Sequence, residues 1–127
     1  AMTLTGLART FRALALGPPD SAERRVVEAI RAHPQWTSGT LRDEARLIRS
    51  VPNLFAKAGA EGVYAAALDD GRAAALKIAD GSPRARPVVM AAALRLLGAD
   101  HPMLDDLTHP AVLGGGQPVG EIRPVGF

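Results

Sequence analysis

The run Lys57-Ala58-Gly59-Ala60-Glu61-Gly62 brings a cation, a carboxylate and two glycines together at what reads as the end of a strand. A crowded lysine can lose enough of its basicity to take a proton from a serine hydroxyl, so Lys57 is the candidate catalytic residue. Glu61 is placed to orient Lys57 or to hold a substrate ammonium group. Gly59 and Gly62 leave room for a ligand to approach the backbone, or supply a positive φ. Each feature has a plainer reading: a solvated lysine at a strand end, and a tight turn carrying a surface carboxylate. A lysine base also needs a nucleophile. The serines are Ser21, Ser38, Ser50 and Ser82, and none opens a Ser-x-x-Lys pattern.

Other groups offer less. Lys77 sits in a strand interior and could pair with Asp80 or Glu61. Arg42, Asp43 and Glu44 read as the charges of a helix start. Gly114-Gly115-Gly116 lacks the following Lys-Ser/Thr of a phosphate loop. His33, His101 and His109 each precede a proline and show no ligand spacing, and with no cysteine in the chain no metal site or other cofactor is expected.

The elements that position these residues can be read along the chain. Leu4, Leu7, Ala8, Phe11, Leu14 and Ala15 recur at helical spacing and stop before Gly17-Pro18-Pro19. Asp20, three residues before Glu23, suggests a capping box opening a second helix whose inner stripe is Ala22, Val26, Val27 and Ile30. Pro34 ends it, and residues 35–39 read as a loop with Trp36 as a core anchor. A third helix is expected over 41–50, capped by Thr40, with Leu41, Ala45 and Ile48 inward. Asp69-Asp70-Gly71 separates two apolar runs of strand length, a strong hairpin signal. With Leu54 to Ala58 this predicts three antiparallel strands near 53–58, 62–68 and 72–79. The alanine face of the last strand admits a close helix. A fourth helix, the most hydrophobic, runs from Arg84 or Pro87 to Leu97 and should cover the sheet. The remainder is turn-rich, with a short edge strand within 119–125. The fold class is therefore α+β, a small antiparallel sheet with helices packed on it, in one domain over 1–127.

Composition limits the partners. The formal charge is +2, from 15 Lys+Arg against 13 Asp+Glu, and the arginines are scattered, so no nucleic acid is expected. No apolar run is long enough to span a membrane, and no basic segment precedes an apolar start, so a cytoplasmic location is expected. Five aromatics in an alanine-rich chain give a thin core, which favours self-association.

Phe55-Ala-Lys-Ala-Gly-Ala-Glu-Gly-Val-Tyr64, followed by Ala75-Leu-Lys-Ile-Ala-Asp-Gly81 and Arg84-Ala85, resembles the signature of the bacterial L-asparaginase II family, in its C-terminal portion. His33-Pro34, Gly39 and Arg42 upstream agree with it, as does Val119-Gly-Glu-Ile-Arg123. The resemblance implies a serine beta-lactamase-like fold and hydrolysis of L-asparagine to L-aspartate and ammonia through an acylated serine activated by lysines. It assigns Lys57 to the family's second serine–lysine pair, with Ala58 where related enzymes of that fold have a hydroxyl residue. It also implies a nucleophilic serine, and a zinc site of cysteines and a lysine, in a region with no counterpart here. The expectation is a chain with little activity alone. It would work with a separate N-terminal half or as a homo-oligomer, or else serve as a structural subunit or a small amino-acid-binding module.

Overall fold

The computed structural model describes residues 1–127. Its elements are α1 (Leu4–Ala15), α2 (Ala22–Ala32), α3 (Pro34–Ser38), α4 (Asp43–Ser50), β1 (Leu54–Ala58), β2 (Val63–Leu68), β3 (Ala73–Lys77), α5 (Arg86–Leu96), α6 (Pro102–Thr108), β4 (Ala111–Gly114) and β5 (Gln117–Glu121). This is the expected α+β class.

The three expected strands form one antiparallel sheet in the order β1-β2-β3. Its register pairs Lys57 with Ala65 and Ala58 with Tyr64 on one side of β2, and Ala65 with Ala75 and Tyr64 with Leu76 on the other. Because side chains alternate across a strand, this register sorts the sheet into two unlike faces. One carries Phe55, Lys57, Ala65, Ala67, Ala73 and Ala75, and α1 lies along it. Alanine lets that helix come close, and Phe11 stacks on Phe55 with ring centroids 4.8 Å apart. The other face carries Leu54, Ala56, Tyr64, Ala66, Leu68 and Leu76. It meets Leu47 and Ile48 of α4, Met90, Ala91 and Leu94 of α5, and Leu104 and Leu107 of α6 in the main core. The most hydrophobic helix does cover the sheet, but on the face away from the alanines.

Local signals explain most boundaries. Thr3 caps α1 by accepting from the Gly6 N–H. At the end of α5, Gly98 has φ 79°, the Gly98 N–H donates to Arg95 O, and the Ala99 N–H donates to Leu94 O, the double bond of a glycine-terminated helix. Several expectations need correction. Ser21, not Asp20, caps α2 and accepts from the Arg24 N–H, while Asp20 takes a positive φ of 67° just outside the helix. Residues 35–38 are helical rather than a loop: Pro34 terminates α2 for lack of an N–H, yet its fixed φ suits the first position of α3. Trp36 is 84% exposed and anchors no core. The next helix starts at Asp43, so Thr40 is no cap and Leu41 lies exposed ahead of it. Val26 is half exposed, leaving Val27 as the buried member of the α2 stripe. The two-turn helix α6 has no strong sequence signal; His101 Nδ1 caps it by accepting from the Met103 N–H. Near the end, β4 and β5 form a separate two-stranded hairpin with every residue exposed, and residues 122–127 are not strand. No helix is long and apolar enough to cross a membrane.

Candidate active site

Lys57 stands near the end of β1, an edge strand whose only sheet partner is β2. Its side chain is 39% exposed. The ammonium donates to Ala58 O at 2.6 Å and to Glu44 Oε1 at 3.4 Å. The same Glu44 oxygen accepts the Ala58 N–H at 3.1 Å. Both outward main-chain groups of Ala58 are thus held by side chains. On the α1 side a slot of about 170 Å³ opens beside Lys57, lined mainly by Leu7, Phe11, Gly59, Val63 and Ala65.

Behind Lys57 lies a buried polar cluster that sequence reasoning missed. Asp43 and Glu44 do occupy the first turn of α4, where the helix dipole favours carboxylates. Glu44 is nevertheless only 1% exposed. Arg86, at the first turn of α5 and also buried, donates to Asp43 Oδ1 at 3.1 Å and approaches Glu44 Oε2 to 3.9 Å. Its guanidinium lies 5.3 Å from the centre of the Tyr64 ring. Arg42 reaches Glu44 Oε2 from the outside at 3.8 Å. Asp43 Oδ2, Glu44 Oε2, Tyr64 OH and Arg86 Nε are buried without a hydrogen-bond partner, a concentration of unmet groups that interiors rarely tolerate. Burial pushes the Tyr64 phenol far above its usual range; the neighbouring Asp43 and Glu44 carboxylates add to the shift, and Arg86 opposes it. The signal in the sequence was faint: an arginine at the start of the most hydrophobic helix, which had to find a counter-charge wherever that helix packed.

The two glycines of the motif differ. Val63 N–H donates to Ala60 O across a turn in which Glu61 has φ 54° and Gly62 φ 72°. Positive φ at both central residues is what a hairpin turn matched to strand twist requires. A Cβ on Gly62 would lie 2.8 Å from Ile78 Cβ, so packing within the chain already demands glycine there. At Gly59 a Cβ would make only ordinary contact with Val63, on the wall of the slot beside Lys57. Glu61 makes no side-chain bond; its carbonyl accepts from Lys77 Nζ, which ties the turn to β3. It is therefore Glu44, not Glu61, that meets Lys57, and Lys77 pairs with the carbonyls of Glu61 and Ile78 rather than with Asp80.

The hydrogen bonds of Lys57 involve no serine. Ser21 caps a helix, and Ser38 Oγ is buried and unpaired. The family model described as L-asparaginase II matches residues 1–124, a span that includes Lys57, the Gly59–Gly62 turn and the buried cluster. The chain belongs to the L-asparaginase II family. Its function is asparaginase-like at the level of that family, a hydrolase class. A comparison with curated proteins finds no match. The zinc site that the resemblance implies does not fit the residues present. The chain has no cysteine, and no three His, Asp or Glu side chains converge into a metal-binding group.

Proposed function

We propose that this asparaginase II chain carries the lysine side of a site that hydrolyses the side-chain amide of L-asparagine to L-aspartate and ammonia. In this reading a serine Oγ attacks the amide carbon while Lys57 takes its proton and returns it to the departing ammonia. Water then cleaves the acyl ester and regenerates the serine. Gly59 gives the substrate access to the backbone along the slot wall, Gly62 holds the turn, and the unpaired Glu61 carboxylate receives the substrate's ammonium group. The serine beta-lactamase-like architecture belongs to the same proposal. Lys57 bonds to Ala58 and Glu44; in this reading the nucleophile is the serine of a Ser-x-x-Lys segment carried by an N-terminal half. The observation that carries the reading is the family match across residues 1–124.

The test is ammonia release from L-asparagine by the chain alone and by the chain mixed with a family N-terminal half bearing Ser-x-x-Lys. Activity is expected only in the mixture, with a loss of at least about 100-fold in Lys57→Ala, the scale of a removed acid–base group. Saturable asparagine binding with no ammonia in either arm would replace hydrolysis by a binding role.

A further inference from the structure

We infer that Glu44 is the positioning residue for Lys57, itself fixed in the interior by Arg86. The inference rests on the reading of Lys57 as the working lysine of the site. The chain has two lysines, and they form a natural comparison. Each lies on an edge strand, and each ammonium donates to the carbonyl of the residue that follows it, Ala58 for Lys57 and Ile78 for Lys77. The second bond distinguishes them. Lys77 donates to another carbonyl, that of Glu61, whereas Lys57 meets the Glu44 carboxylate.

Capping the Ala58 N–H does not by itself explain a carboxylate at position 44. A neutral amide oxygen would accept that bond without the desolvation cost of an almost fully buried charge, and Glu44 Oε2 makes no hydrogen bond at all. The charge is instead surrounded by cations: Lys57 at 3.4 Å, Arg42 at 3.8 Å and Arg86 at 3.9 Å. Two of these reach solvent, Lys57 in part and Arg42 over more than half its side chain, and the third, Arg86, is buried and clamped by Asp43. Arg86 and Asp43 thereby fix the carboxylate from behind, and the carboxylate fixes the lysine ammonium in front of it. A four-carbon lysine stem on an open edge would otherwise sample many rotamers. Glu44 does not itself reach the slot; it acts through Lys57.

The test uses the full chain and a limiting amount of an acetylating N-hydroxysuccinimide ester, with labelling of Lys57 and Lys77 compared by mass spectrometry of their peptides. In folded Glu44→Gln, whose amide oxygen can still accept the Ala58 N–H, the Lys57/Lys77 ratio should rise about two- to fivefold, the range for losing a half-exposed ion pair. An unchanged ratio overturns the inference. If Glu44→Gln fails to fold, the wild-type protein decides: nuclear Overhauser contacts between the Lys57 ε and Glu44 γ protons are expected, and their absence overturns it. Where turnover is reconstituted, Glu44→Gln should lower kcat with little change in KM. A raised labelling ratio in a protein that never releases ammonia would uphold the positioning role and sink only the amidohydrolase reading.

Discussion

The molecule contains two sets of antiparallel strands joined by glycine turns, and they share almost nothing else. In β1-β2-β3 both faces are covered, one by α1 and the other by α4, α5 and α6, and five of the six residues of β2 are buried. In β4–β5 every residue is exposed, including Leu113 and Val119. Backbone pairing alone yields a hairpin. Covering the sheet is what allowed a charged cluster to be sealed behind Lys57, because the face on which α4 and α5 pack gives Glu44, Arg86 and Tyr64 an interior to occupy. The contrast predicts a steep difference in what substitutions do in the two regions.

The largest effect should come from Arg86→Ala. It leaves Asp43 and Glu44 buried without their shared cation, and urea denaturation should register a loss of about 3–5 kcal/mol. Next is a matched pair: Leu54→Ala, in the covered sheet, should cost about 2–5 kcal/mol, whereas Val119→Ala, in the exposed hairpin, should stay within about 0.5 kcal/mol. Equal costs would mean that the hairpin is buried in solution, for example against a second copy. A smaller split is expected between the motif glycines. Gly62→Ala should lose about 1–2 kcal/mol from its left-handed φ alone, before the overlap with Ile78. Gly59→Ala should leave stability nearly unchanged, so a loss of asparagine turnover or binding in that variant would mark the slot wall as a place of ligand approach.

The mildest test uses pH. The phenol of Tyr64, the only tyrosine, has a folded pKa raised above its unfolded value near 10. Above about pH 10 the unfolded state releases that proton while the native state keeps it, so the native state binds more protons and its stability falls as pH rises. Below that pH the contribution is fully present. Absorbance at 295 nm should therefore show no tyrosinate until the chain unfolds, and the two transitions should coincide. A phenolate signal appearing in the folded protein near pH 10 would show that Tyr64 is open to solvent.

Much of this arrangement was legible in the residues themselves. The Asp-Gly turn, the alternation in β1–β3, the stop at Gly98 and the Lys57–Gly62 motif depend on backbone and periodicity rules that act over a few positions, and the structure places those elements close to where the sequence puts them. Short elements escaped. A pair of turns such as α6 has too few residues for its period to stand out, and Pro34 ends one helix and begins another by the same fixed φ. Trp36 shows that hydrophobic character alone does not select burial.

The sequence by itself determined the α+β class, the three-stranded sheet, the family and the candidate lysine. Tertiary structure alone decided which charge meets that lysine. Glu61 is four residues away in the chain but turned outward, while Glu44 comes from another element and lies against it. Arg86, forty-two positions beyond Glu44, reaches the same place because α4 and α5 pack on one face of the sheet. Partnership between buried charges depends on three-dimensional proximity and on the cost of leaving any of them alone in the interior, and neither quantity is written into local spacing.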